Sequence, residues 1–114
     1  MKHFDVSLDD RFDLSKDRVL LNGTQALVRL MLTQKWRDAA AGHNTAGYVA
    51  GYRGSPLGGV DGTFISAKKI LDESDVKFDP ALNEDSGATM LWGAQQAGLR
   101  GDGAYDGVFG LWYG

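Results

Sequence analysis

The chain contains no cysteine. That absence excludes disulfides, thiolate zinc sites and any iron–sulfur cluster ligated by these 114 residues. Histidine is nearly as scarce: His3 and His43 are too few and too far apart to form a histidine metal site of their own. Positive charge is in slight deficit, with 12 lysines and arginines against 15 acids. No basic stripe is present to neutralise a phosphate backbone, so nucleic acid is not an expected partner. No window approaches the roughly 18 uninterrupted apolar residues of a membrane span. The opening residues, MKHFDVSLDDRFDL, carry acids where a signal peptide would carry an apolar core. The expectation is a soluble cytoplasmic protein with one domain and no membrane association.

Glycine, by contrast, is abundant, and four of the 16 fall in GYRGSPLGG, residues 51–59. The elements around this stretch follow from periodicity. Residues 1–17 are polar and are expected to wrap a surface, with the domain proper over 18–114. NGTQALVRLMLTQKWRDAAAG, 22–42, has helical spacing at Leu27, Leu30 and Met31, a candidate N-cap in Thr24 and a stop at Gly42. TAGYVAGY, 45–52, reads as a buried strand. VDGTFISAKKILDES, 60–74, reads as one helix with Phe64, Ile65, Ala67, Ile70 and Leu71 on its apolar side. A short strand is expected at VKFD, 76–79, and a connection at PALNED. SGATMLWGAQQAGL, 86–99, is a third helix that turns Met90, Leu91 and Ala94 inward, and YDGVFGLWYG is a last apolar strand.

Strands separated by helices at this spacing predict an α/β fold with a mostly parallel sheet and flanking helices. The last strand carries Val108, Phe109, Leu111, Trp112 and Tyr113 with no helix after it. An apolar strand of that kind leaves an unprotected edge, so the stretch reads as the N-terminal piece of a domain truncated on its C-terminal side.

Three glycine motifs compete for a function. The loop at 51–59 lacks the lysine of a phosphate-binding GxxxxGK[ST], which argues against a nucleotide triphosphatase. It is either a strand-to-helix turn opened by Gly58 and Gly59, or a ligand loop in which Arg53, Ser55 and the next helix N-terminus hold a polar group. GDG, 101–103, resembles the start of a magnesium–diphosphate motif, but it precedes a strand and reads as a turn. Gly101, Gly103 and Gly107 imitate a dinucleotide fingerprint, again on the wrong side of the strand. In ALNEDSGATMLWGAQQ, Asn83 and Asp85 are natural helix cappers, whereas Glu84 sits where a carboxylate can point into a cleft.

Taken together and in this order, GYRGSPLGGVD, ALNED…LWGAQQ and YDGVFGLWYG resemble the N-terminal region of the indolepyruvate ferredoxin oxidoreductases. These are the long single-chain branch of the 2-oxoacid:ferredoxin oxidoreductases, and the resemblance runs from Arg18 to Gly114. It implies that 18–114 is part of a thiamine diphosphate-binding domain of the pyrimidine type. The residue matching the family's catalytic glutamate, which bonds N1′ of the aminopyrimidine, is Glu84. Such a carboxylate favours the imino tautomer, whose 4′ nitrogen then serves as the base at C2. Tyr52, Gly54, Ser55 and Pro56 match the family's cofactor loop, with Asn83 beside the cofactor and Arg53 and Ser55 toward the substrate.

The implied reaction is oxidative decarboxylation of an aryl or related 2-oxoacid to its acyl-coenzyme A, with electrons passed to ferredoxin. Magnesium and [4Fe–4S] clusters are implied for a full-length homo-oligomeric enzyme and would be ligated outside this segment, so this stretch alone is expected to be inactive. Two departures stand out: Arg53 where the two-subunit relatives carry proline, and Ser86-Gly87 where leucine and alanine are expected, which should weaken the first helical turn. The competing expectation is a non-catalytic α/β interaction or regulatory domain whose loops only turn.

Overall fold

The first long periodic stretch folds as a helix, but a different residue sets its start. In the computed structural model, which describes residues 5–114, helix α1 spans Gly23–Ala40. Asn22, and not Thr24, is the N-cap. Its Oδ1 accepts from Gln25 N at 2.9 Å, and Gln25 Oε1 accepts from Asn22 N at 3.0 Å. This reciprocal box satisfies donors that a helix start leaves orphaned. Thr24 lies inside the first turn, its hydroxyl 3.0 Å from both Asn22 Oδ1 and Thr63 Oγ1. The helix ends before Gly42, whose φ of +86° carries the chain out of it.

Strand β1 (Thr45–Gly51) is the centre of a three-stranded parallel sheet, flanked by β2 (Val76–Phe78) and β3 (Gly107–Tyr113) in the order β2-β1-β3. Gly47 lies between Val76 and Phe109, Val49 between Phe78 and Leu111, and Gly51 beside Tyr113. Because side chains alternate along a strand, this register places Val49, Val76, Phe109, Leu111 and Tyr113 on one face. That face carries the core: Val28, Met31 and Leu32 from α1 pack there with Val60, Phe64 and Leu71.

The expected helix over 60–74 is two helices, α2 (Gly58–Ser66) and α3 (Lys68–Glu73), broken at Ala67. Thr63 Oγ1 donates back to Gly59 O at 3.0 Å and Ser66 Oγ to Thr63 O at 2.8 Å. Such back-bonding loosens a helical ladder, and here it precedes the break. Helix α4 (Glu84–Gln95) begins two residues earlier than expected and covers the other face, where a side chain at Gly110 would collide with Leu91.

Polar contacts close the amino ends of the strands. Lys35 Nζ pairs with Asp75 at 3.2 Å, donates to Asn44 Oδ1 and Thr45 O, and lies over the Tyr105 ring. Asn44 N donates to Asp106 Oδ2 at 2.7 Å. The polar N-terminal stretch holds a 3-10 helix, Leu8–Phe12, against α1, where the Arg29 guanidinium donates to the carbonyls of Arg11, Asp13 and Lys16. The last strand is a sheet edge, as its composition suggested. Trp112 is 43% exposed on it, but Tyr113 is only 3% exposed, because the alternation turns it into the core. Among the described residues no helix is long and apolar enough to cross a membrane.

Candidate functional site

With their amino ends clamped, the parallel strands present connections at their carboxyl ends, where open α/β sheets bind ligands. Strand β1 leaves the sheet at Gly51 and enters the loop Tyr52–Leu57. Ser55 N donates to Tyr52 O at 3.1 Å and Leu57 N donates to Ser55 Oγ at 3.2 Å. The Ser55 side chain therefore folds into its own loop and is buried, closing the turn that delivers the chain to α2. At Gly54 a Cβ would fall 2.5 Å from the Tyr52 ring, so only glycine lets the ring lie against the loop backbone. Arg53 and Pro56 are exposed at the tip.

The second part of the site is the start of α4. Asn83 is the N-cap: its Oδ1 accepts from Ser86 N at 2.7 Å, and Ser86 Oγ accepts from Asn83 N at 3.2 Å. Ser86 thus closes the first turn that its departure from the family pattern was expected to weaken. Gly87 lies against the end of β1. A Cβ there would stand 3.4 Å from Gly51 Cα, an ordinary contact, and 3.3 Å from Ala81 Cβ, so the helix lies close on the strand end and alanine would need only a slight shift of Ala81. Ala81 N donates to Gly51 O at 2.9 Å and fixes the approach. The half-buried Glu84 is the first helical residue, and its carboxylate takes part in no hydrogen bond or ion pair of the described residues.

The expected site residues therefore divide. Glu84 and the loop from Tyr52 to Pro56 share the carboxyl edge of the sheet, brought together by the Gly51–Gly87 contact. Ser55 Oγ and Asn83 Oδ1 each accept one backbone N–H bond that frames that edge. His43 lies exposed in the turn after α1, and His3 lies outside the described residues. Clefts of about 610, 580 and 570 Å³ open elsewhere, and none is lined by Glu84 or the loop. The candidate site is an open shelf at the strand ends.

Two contacts at this end were not legible in the sequence. Tyr113 Oη donates to Asp61 Oδ1 at 3.2 Å in a buried pair that ties the end of β3 to the first turn of α2. Asp61 lies between the buried Val60 and Phe64, and an acid on that apolar stripe was the available signal. Trp112 Nε1 donates to Glu84 O at 3.1 Å. On the face that Trp112 shares, Tyr48 Oη donates to Asp79 Oδ2 at 2.7 Å.

Burial, followed by the Asp61 carboxylate, pushes the Tyr113 phenol up to about 12, and burial with Asp79 does the same for Tyr48. Both phenols are held neutral in the fold at a pH where the unfolded chain, titrating near 10, has begun to ionise. Their contribution to stability is complete below pH 10 and is lost as the pH rises toward 12. Urea midpoints measured across this window should fall, and Tyr113→Phe should flatten part of the fall. An unchanged profile in Tyr48→Phe/Tyr113→Phe would rule these pairs out as its source.

No family model matches the chain, and no curated protein and no solved structure is similar to it.

Proposed function

We propose that this chain supplies the pyrimidine-binding side of a thiamine diphosphate site in an oxidoreductase of the 2-oxoacid:ferredoxin type. The observation that carries this function is the close approach of Gly87 to Gly51, which sets the Glu84 carboxylate, unpartnered among the described residues, and the Tyr52–Pro56 loop on one edge. The residues fit the group. A half-buried carboxylate with no partner among the described residues is suited to a protonated ring nitrogen, and Gly54 lets the Tyr52 ring lie against the loop.

When bound, thiamine diphosphate supplies a thiazolium that takes up the electron pair released as a 2-oxoacid loses carbon dioxide. Glu84 holds a proton at N1′ of the aminopyrimidine, which makes the 4′ nitrogen basic enough to receive another. Tyr52 and Gly54 shape the surface beside the ring. The exposed Arg53 guanidinium matches the carboxylate of the 2-oxoacid, while Ser55, Pro56 and Asn83 hold the frame. Magnesium, the diphosphate group and the [4Fe–4S] clusters are assigned to parts of the enzyme beyond this segment, as are the contacts with coenzyme A and ferredoxin.

The test uses thiamine itself, because the diphosphate is held elsewhere. In a titration followed by amide resonances of this chain, binding on the order of millimolar is expected. The shifts should centre on residues 51–55 and 83–87, and Glu84→Gln should weaken binding roughly tenfold, as loss of a charge-assisted hydrogen bond does. A non-catalytic α/β module is the second reading, favoured by the inward turn of Ser55 Oγ. No response at these residues, or a response indifferent to Glu84→Gln, would decide for that module.

A further inference from the structure

The indole of Trp112 binds a carbonyl that does not need it. Asn83 O accepts the first bond of α4, from Gly87 N, and Glu84 O is the next acceptor in the ladder, so the indole at 3.1 Å occupies its second lone pair. Gly114 meets the same residue from another side. A Cβ at that position would fall 3.3 Å from Glu84 Cγ and 2.6 Å from Trp112 Cη2. The end of β3 thus holds Glu84 by its carbonyl, with Gly114 beside its side-chain stem, and the carboxylate has no partner among the described residues.

Burial does not account for the tryptophan. Trp112 is 43% exposed while its neighbour Tyr113 is 3% exposed. Nor does it close the α4 N-terminus, because Asn83 and Ser86 already do so. What the indole adds is a fixed relation between the first residue of α4 and the end of β3.

We propose that Trp112 is a positioning residue for Glu84, holding its carboxylate at the carboxyl edge of the sheet, a role that rests on the function proposed for that carboxylate. Packing of α4 on Gly51 fixes the height of the helix over β1. The Trp112 hydrogen bond fixes its start against β3, so the carboxylate keeps only its own side-chain torsions. Orientation of this kind governs how well a charged group meets its partner.

A double-mutant cycle tests the proposal, with thiamine as the probe and wild type, Trp112→Phe, Glu84→Gln and the double variant compared. Phenylalanine keeps an aromatic ring at the position and removes the donor. Thiamine binding should weaken roughly three- to tenfold in Trp112→Phe, the size of one hydrogen bond. Introduced into Glu84→Gln, the same change should have almost no further effect, because a residue acting through Glu84 has nothing left to position.

Equal losses in both backgrounds would make Trp112 merely structural, and no loss in either would remove it from the site. Binding that is sensitive to Glu84→Gln but not to Trp112→Phe overturns the positioning role alone. Wild-type chain that gives no thiamine response overturns the function of Glu84 and this role together. A second readout needs no folded Trp112 variant. The Trp112 Nε1–H resonance should move on thiamine addition in wild type and stay still in Glu84→Gln. Movement in both, or in neither, overturns the proposal.

Discussion

Phe64→Ala is expected to lower the unfolding free energy by about 3–5 kcal/mol, the range for removing a large buried aromatic. Phe64 is fully buried in α2 and stacks on Phe78 of β2 with ring centroids 5.5 Å apart. It packs in the same cluster as Val49 at the centre of the sheet and Leu71 of α3. Small domains have about 5–15 kcal/mol in total, so the loss takes a large share of the stability. Urea denaturation followed by far-ultraviolet circular dichroism measures it. Ile65→Ala is the control, because that neighbour is 55% exposed and should shift the midpoint little. Similar losses for the two variants would mean that α2 is not seated as described.

The sequence distinguished these neighbours only in part. Phe64 and Ile65 were both placed on the apolar side of a helix, since hydropathy alone does not separate them. The break at Ala67 lies beside hydroxyl–carbonyl contacts of Thr63 and Ser66, which hydrophobic periodicity does not register. The α/β class, the parallel sheet and the edge position of the last strand were legible because strand–helix alternation and apolar runs carry them. Cap identity was not. Asn22 and Thr24 are both good cappers, and Gln25, three residues after Asn22, decides between them by completing the box.

For the site, the loop and Glu84 were recognisable as candidates because glycine, proline and a carboxylate at a helix start are local signals. That they share one edge depends on Gly87 meeting Gly51, residues 36 positions apart whose contact no local pattern encodes. The same holds for Tyr113 with Asp61 and for Trp112 with Glu84, which join the end of β3 to two separate helices. Within Ser86-Gly87, a pair expected to weaken the first turn of α4, the serine instead completes the cap. The bond from Leu57 N to Ser55 Oγ within the loop is likewise a contact that residue type alone did not announce.

Glu84→Gln is the substitution with the largest expected effect on chemistry. Under the proposed function, glutamine preserves the side-chain stem beside Gly114 and the carbonyl bound by Trp112, both of which are independent of the carboxylate charge. It leaves the Asn83–Ser86 box intact as well. What it removes is the negative charge that holds a proton at N1′ of the aminopyrimidine. Proton transfer assisted by a positioned group contributes on the order of 10²–10⁴-fold, and exchange of the cofactor C2 proton in the holoenzyme should slow by that factor. Cofactor occupancy should be largely kept, because the proposed function assigns the diphosphate to contacts outside this segment.

Hydrogen–deuterium exchange at C2, quenched and read by proton NMR at equal occupancy, makes the comparison. Asp85→Asn is the internal control: Asp85 stands next in the same helical turn, exposed and with no assigned role in the chemistry, and should exchange at nearly the wild-type rate. Matching rates in wild type and Glu84→Gln would return Glu84 to the role of an acid at a helix start, favourable to the helix dipole and nothing more. A fall shared equally by Asp85→Asn would point to the field of the whole turn, and not to a proton held by one carboxylate. Slowing confined to Glu84→Gln is the outcome that a carboxylate unpartnered among the described residues, on a residue held by its carbonyl at the strand-end shelf, leads one to expect.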